Sequence, residues 1–164
     1  MKILVFLHGT TIMHRNARGL ARQEIVKQVM ETEESVHDYT SYVSIGNAVK
    51  KLQAWKGQGA IICYFSSHKN AKDVAEDQFV LKKYAFPDGR IFYRRDRERY
   101  RDVVEGIRPL PNVIVEDNCE SIGGEAEMVY PNLKPELKSK IRSIVVKEFG
   151  GIDYLPDEIS ELMK

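Results

Sequence analysis

Cysteine is nearly absent from this chain: Cys63 and Cys119 are the only two, and both sit beside apolar runs of strand length. So few thiols argue for free cysteines in a reducing compartment and against a disulfide framework. No apolar stretch approaches the roughly 18 residues that cross a bilayer. The opening MKILVFLHGTT turns polar too early for a secretory leader, so a cytoplasmic protein without a membrane segment is expected. An excess of either charge is also missing. Lys and Arg number 25 against 24 Asp and Glu, and a formal charge of +1 provides no field for nucleic acid or an anionic membrane. Gly-x-Ser-x-Gly does not occur, and the chain is short for an α/β-hydrolase. Both points set aside the oxyanion-loop reading that His8–Gly9 would otherwise invite.

What remains is an ordinary globular composition, 43% hydrophobic and 30% charged over 164 residues, long enough for one domain with a real core. Lys2–Leu7 is a continuous apolar run, as expected of a strand buried on both faces. From Asn16 to Glu31, Ile25, Val26, Val29 and Met30 recur at helical spacing. Ile45, Ala48, Val49, Leu52 and Trp55 form one apolar stripe that Gly57 and Gly59 stop. AIICYF is the second strand, residues 70–84 a helix, RIFY a third strand, residues 100–107 a helix, and NVIVED a fourth strand. This alternation predicts right-handed βαβ units and a mainly parallel, Rossmann-like doubly wound sheet. A further helix is expected to open at Pro135, with Leu137, Ile141, Ile144 and Val145 as its core face.

In such sheets ligands bind beyond the carboxyl ends of the strands. Three ends carry polar groups: HGTT, SSHKN and EDNCES. His8, Thr10, Ser66, Ser67, His68, Glu116 and Asp117 are therefore expected to converge. Imidazoles and carboxylates there would hold a divalent metal, and hydroxyls and loop amides a phosphate. Each residue also has a plainer reading: a histidine bonded to a loop carbonyl, serines capping a helix, a solvated loop histidine. Neighbouring strand residues face opposite ways, so one of Glu116 and Asp117 is expected in the cleft and the other in the turn.

With those motifs in order, residues 1–121 resemble the haloacid dehalogenase-like (HAD-like) superfamily of mostly Mg²⁺-dependent phosphatases. FLHGT aligns with that family's Asp-x-Asp-Gly-Thr through Gly9 and Thr10. Ser66 of CYFSS matches the Ser or Thr ending its second strand, and Glu116 and Asp117 of VIVED match its acidic last motif. The resemblance implies one HAD-like domain over residues 1–164. It further implies a small helical cap at about 12–42 and leaves a C-terminal helical extension at about 122–164. It also suggests Arg101, from YRRDRERYR, as the cation that steadies a phosphoryl group. His14 and Arg15 of the cap segment, with Gly9, Thr10 and Ser67, would meet an anionic ligand.

The chemistry departs from the family. Phe6 stands at the nucleophile position, and a phenyl ring neither attacks phosphorus nor binds a metal. His8 stands at the acid/base position; imidazole moves protons well but is a poor ligand for Mg²⁺. The leading expectation is a HAD-like protein that binds a phosphorylated small molecule or a protein partner without aspartyl-phosphate chemistry. The alternative is a hydrolase in which His8, His68 and Asp117 or Glu116 hold Zn²⁺, Mn²⁺ or Fe²⁺, in place of the family's Mg²⁺, and a metal-bound water attacks, or in which His8 itself is phosphorylated. In either case His8, Ser66 and Arg101 are the catalytic candidates. Acidic residues dilute the arginines, so nucleic acid is not expected.

Overall fold

The computed structural model describes residues 1–164, and its centre is a parallel sheet whose middle strand comes first in the chain. β1 (Lys2–Phe6) pairs on one side with β4 (Ile61–Ser66) and on the other with β6 (Val113–Asp117). β5 (Arg90–Tyr93) and β7 (Arg142–Val146) lie at the two edges, giving the order β5-β4-β1-β6-β7. Helices α2 (Ala48–Gly57), α3 (Ala71–Lys83) and α4 (Tyr100–Gly106) flank the sheet. The architecture is α/β and Rossmann-like.

Period-two alternation divides the buried residues of β1 between two cores. Ile3 and Val5 face a cluster with Leu52, Trp55, Val80 and the C-terminal residues Ile152 and Leu155, while Leu4 faces Phe65, Val104, Ile114 and Val129. Each Leu, Ile or Val so buried contributes roughly 1.5–3 kcal/mol. From Ile3 to Phe6 β1 is apolar because water reaches neither face of its buried middle, Ile3–Val5.

The segment after β1 leaves the sheet. β2 (Ile12–Met13) and β3 (Val43–Ser44) pair antiparallel, closing a base under α1 (Arg22–Met30) and several 3₁₀ turns. The helix expected from Asn16 begins at Arg22, where the Glu24 carboxylate accepts the Ala21 amide at 3.0 Å. The expected C-terminal helix is corrected more sharply: α5 (Pro135–Lys138) lasts one turn, and residues 142–146 form β7. Ile144, Val145 and Val146 are β-branched, which disfavours a helix, and the free edge of β6 accepts them as a fifth parallel strand. The remaining tail folds back over α2, where the Trp55 indole donates to the Pro156 carbonyl at 2.9 Å.

Candidate functional site

Beyond the carboxyl end of β1 lies a cavity of about 340 Å³, lined by Phe6, His8, Gly9, Ser67, His68 and Asp117 among others. The segment between β2 and β3 roofs it with His14, His37, Tyr39 and Tyr42. The stretch after β6 walls it with Cys119, Ser121 and Ile122. All four histidines of the chain line this cleft, and none of its 25 lysines and arginines does.

Two imidazoles converge on one carboxylate. His8 Nε2 lies 2.9 Å from Asp77 Oδ1, and His68 Nε2 lies 3.5 Å from the same oxygen. The other carboxylate oxygen accepts the Ser66 hydroxyl at 2.5 Å, and Ser66 Oγ in turn accepts the His68 amide at 3.1 Å. Burial acts to raise the Asp77 carboxyl, but His8 and His68 outweigh it and hold the group below the usual carboxylate range. On the far side of the His8 ring, Nδ1 faces Ser67: the backbone amide donates to it at 3.3 Å, and Ser67 Oγ is 2.5 Å away.

Asp77 escaped the sequence reading, although a signal existed. Val74, Asp77, Val80 and Leu81 form one face of α3, so a carboxylate sits in the apolar stripe of an amphipathic helix. An acid fully buried there needs partners. The carboxylate beside the two histidines is thus Asp77, not Asp117 or Glu116 as expected.

Asp117 reaches the cleft wall with both oxygens engaged: Oδ2 accepts the Thr10 hydroxyl and Oδ1 the Cys119 amide, each at 2.8 Å. Glu116 points the opposite way, as strand alternation requires. Its oxygens accept the Val129 and Tyr130 amides at 2.6 and 2.9 Å on the other core. Burial pushes its carboxyl up to about 7 against the pull of those amides. It is a buried clasp, and its expected place among metal ligands is corrected. Ser66 is likewise buried beneath the cleft and supports Asp77, while Ser67 is the serine that faces the cavity.

Gly9 lines the cleft with φ +79°, in the left-handed region that glycine tolerates. His14 is buried, its Nε2 2.8 Å from Gln28 Oε1, whereas Arg15 is exposed and contacts Asn16. Arg101 lies outside the histidine cleft. With Arg94 and Arg99 it lines an adjoining pocket of about 310 Å³ that shares Tyr100 and Glu127 with the cleft. Sequence reasoning also missed Glu148, which accepts the Ser121 amide and hydroxyl at 2.7 and 2.6 Å. Burial raises its carboxyl, although these bonds oppose the rise.

Phe6 reports most directly on the chemistry. At the end of the central strand its ring stacks on Phe65 at 4.9 Å and meets the edge of Tyr100 at 6.0 Å. The Mg²⁺ that the HAD-like resemblance implies does not fit these residues, because the Phe6 and His8 side chains offer it no oxygen and both Asp117 oxygens are already bonded. Cys119 is no substitute nucleophile. Burial, together with Asp117, Glu116 and Glu148, pushes its thiol up.

No family model and no curated protein matches the sequence. Solved structures do resemble it. A chain of the Pnkp1/Rnl/Hen1 complex aligns with TM-score 0.55 and 14% identity over 89% of this chain and 46% of that one. This chain therefore spans under half of that relative's length. The class C acid phosphatase from Bacillus anthracis with tungstate bound aligns with TM-score 0.57 and 12% identity, over 98% of this chain and 75% of that one. At such identities the likeness concerns the fold alone, and it agrees with the α/β, Rossmann-like fold expected from the alternation of strands and helices.

Proposed function

We propose that this HAD-like chain binds a phosphorylated small molecule at the strand-end cleft and forms no aspartyl phosphate. One observation carries the reading: β1 delivers the Phe6 ring, stacked on Phe65, where the family's nucleophilic carboxylate would stand. The ligand's anionic end fits the adjoining pocket, where Arg94, Arg99 and Arg101 supply charge. Its uncharged body fits the aromatic cleft between Tyr39, Tyr42 and Phe149, reached across Tyr100. A phosphoryl group deep in the cleft would instead face Asp117, Glu127 and Glu148 with no lysine or arginine.

The test is calorimetric titration with p-nitrophenyl phosphate, with and without Mg²⁺. Saturable binding that weakens at least about tenfold in Arg94→Gln/Arg101→Gln supports the reading, since loss of even one charge-assisted contact costs about 1.5–3 kcal/mol. Mg²⁺-dependent turnover with the phosphoryl group trapped on an aspartate would overturn it.

A second reading has an observation of its own. His68 Nε2 is buried without a hydrogen-bond partner, and the donor atoms of His8, His68 and Asp77 lie within 4.8 Å of one another. Two imidazoles and a carboxylate suit Zn²⁺ or Mn²⁺ better than Mg²⁺. Against it stands the Ser67 amide, which can only donate and so makes His8 Nδ1 an acceptor. The ring proton then sits on Nε2, the atom a metal would need. Elemental analysis of untagged protein decides this second reading: a stoichiometric ion, lost in His68→Ala, establishes it.

A further inference from the structure

The same hydrogen bonds point beyond ligand binding. We propose that Ser67, His8 and Asp77 form a nucleophilic relay that cleaves a neutral carboxylic ester in the cleft. The direction of each bond is fixed in turn. A backbone amide always donates, so the Ser67 N–H at 3.3 Å makes His8 Nδ1 an acceptor. The neutral ring then carries its hydrogen on Nε2 and donates it to Asp77 Oδ1 at 2.9 Å. The Ser67 hydroxyl, 2.5 Å from Nδ1, donates its proton to the same lone pair. The sequence nucleophile, base, orienting carboxylate is complete, with the two imidazole nitrogens in exchanged roles compared with the familiar serine hydrolases.

Burial separates the roles. Asp77 is closed from water and anchored from behind by Ser66, so it holds the imidazole in one tautomer and balances the charge that the ring gains. The His8 side chain is 16% exposed, and Ser67 lines the cavity itself. Such constellations recur on unrelated folds, so the missing Gly-x-Ser-x-Gly elbow excludes a fold and leaves the chemistry open.

The lining names the substrate class. With no lysine or arginine and with Asp117, Glu127 and Glu148 present, the cleft repels an anion at the reacting centre. Tyr39, Tyr42, Tyr100, Phe6 and Phe149 offer apolar and aromatic walls. A neutral ester with an apolar or aryl group fits both properties.

The reaction balances with water as co-substrate. A lone pair of Ser67 Oγ attacks the carbonyl carbon while its proton passes to His8 Nδ1, and the C=O π pair moves onto oxygen. Collapse breaks the C–O bond to the alcohol, which leaves with the proton from Nδ1, and an acyl-serine remains. Water then attacks that acyl carbon and gives its proton to Nδ1. The second collapse releases the carboxylic acid, and the proton returns to Ser67.

The experiment is labelling of the full chain with a fluorophosphonate probe, read by intact mass and peptide mapping, beside p-nitrophenyl butyrate hydrolysis. The relay predicts one adduct, on Ser67, and none in Ser67→Ala. It also predicts labelling slowed at least ~10²-fold in His8→Gln and Asp77→Asn, the size of a general-base contribution. Circular dichroism confirms that each variant is folded. Any pH dependence of the wild-type rate that arises in the relay should be absent in His8→Gln. An unlabelled Ser67, or equal labelling in wild type and folded His8→Gln, overturns the proposal. Phosphomonoester binding in the arginine pocket is scored separately, so either idea can fail while the other stands.

Discussion

His8 and Asp77 are 69 positions apart in the chain, yet Nε2 of one lies 2.9 Å from Oδ1 of the other. The bond ties the end of β1 to the middle of α3 and places Asp77 beneath both His8 and His68. Asp77→Ala removes the acceptor for the buried Ser66 hydroxyl as well as for His8. We expect a loss of about 3 kcal/mol in urea unfolding, the sum of two stranded donors. A loss below about 1 kcal/mol would show that Asp77 is no hub. Because its folded carboxyl is depressed, this stability is intact above the unfolded value near ~3.9 and fades as pH falls through the lower folded value.

Glu116 has the opposite linkage. Its carboxyl, raised from 4.5 to about 7, holds a proton in the folded chain that the unfolded chain has released. Stability therefore falls as pH rises between those two values, by about 3 kcal/mol over the whole window. Glu116→Gln should remove that slope, though it starts lower because an amide NH₂ must face Val129 N–H or Tyr130 N–H. Denaturant unfolding at pH 5 and pH 8 measures both effects, and a slope unchanged by the substitution contradicts the assignment.

Gly9→Ala should destabilise by about 2 kcal/mol, since φ +79° strains any L side chain. The added Cβ would stand 2.9 Å from Asp117 Oδ2 and 3.2 Å from Glu148 Cγ. Thermal unfolding gives the magnitude. A neutral result would mean that the Asp117–Thr10 wall shifts freely.

The double substitution Phe6→Asp/His8→Asp rebuilds Asp-x-Asp-Gly-Thr on the same strand end. We expect Mg²⁺ binding to appear by calorimetry in this variant and not in the wild type, at some cost in stability from the lost Phe6–Phe65 stack. A folded double variant blind to Mg²⁺ would count against the alignment of this strand with the family's.

Much of the scaffold was legible because its determinants are local. The strand-like runs at residues 2–7, 60–65 and 112–117, each with an apolar centre, became β1, β4 and β6, and the stripe ending in Trp55 became α2. β7 was misread because Ile141, Ile144 and Val145 satisfy helical spacing, and only the open edge of β6 decides between the two structures. The site divided in the same way. His8, Ser67 and His68 were visible as polar residues at strand ends. Asp77 was not, since its role depends on which residues α3 packs beneath. Arg101 was placed one pocket away from where it lies, because a run of arginines does not reveal which side of Tyr100 each one takes.

The sheet order has a consequence for how this protein can change. Every residue of the relay belongs to the loop after β1, to α3 or to the β4–α3 turn, whereas Asp117, Cys119, Ser121 and Glu148 come from the half built on β6 and β7. The two halves meet along the central strand and where the tail after β7 crosses α2, away from the relay. Substitutions in the β6–β7 half therefore retune which molecules enter without disturbing the atoms that move protons, and selectivity and reactivity are free to diversify on separate schedules.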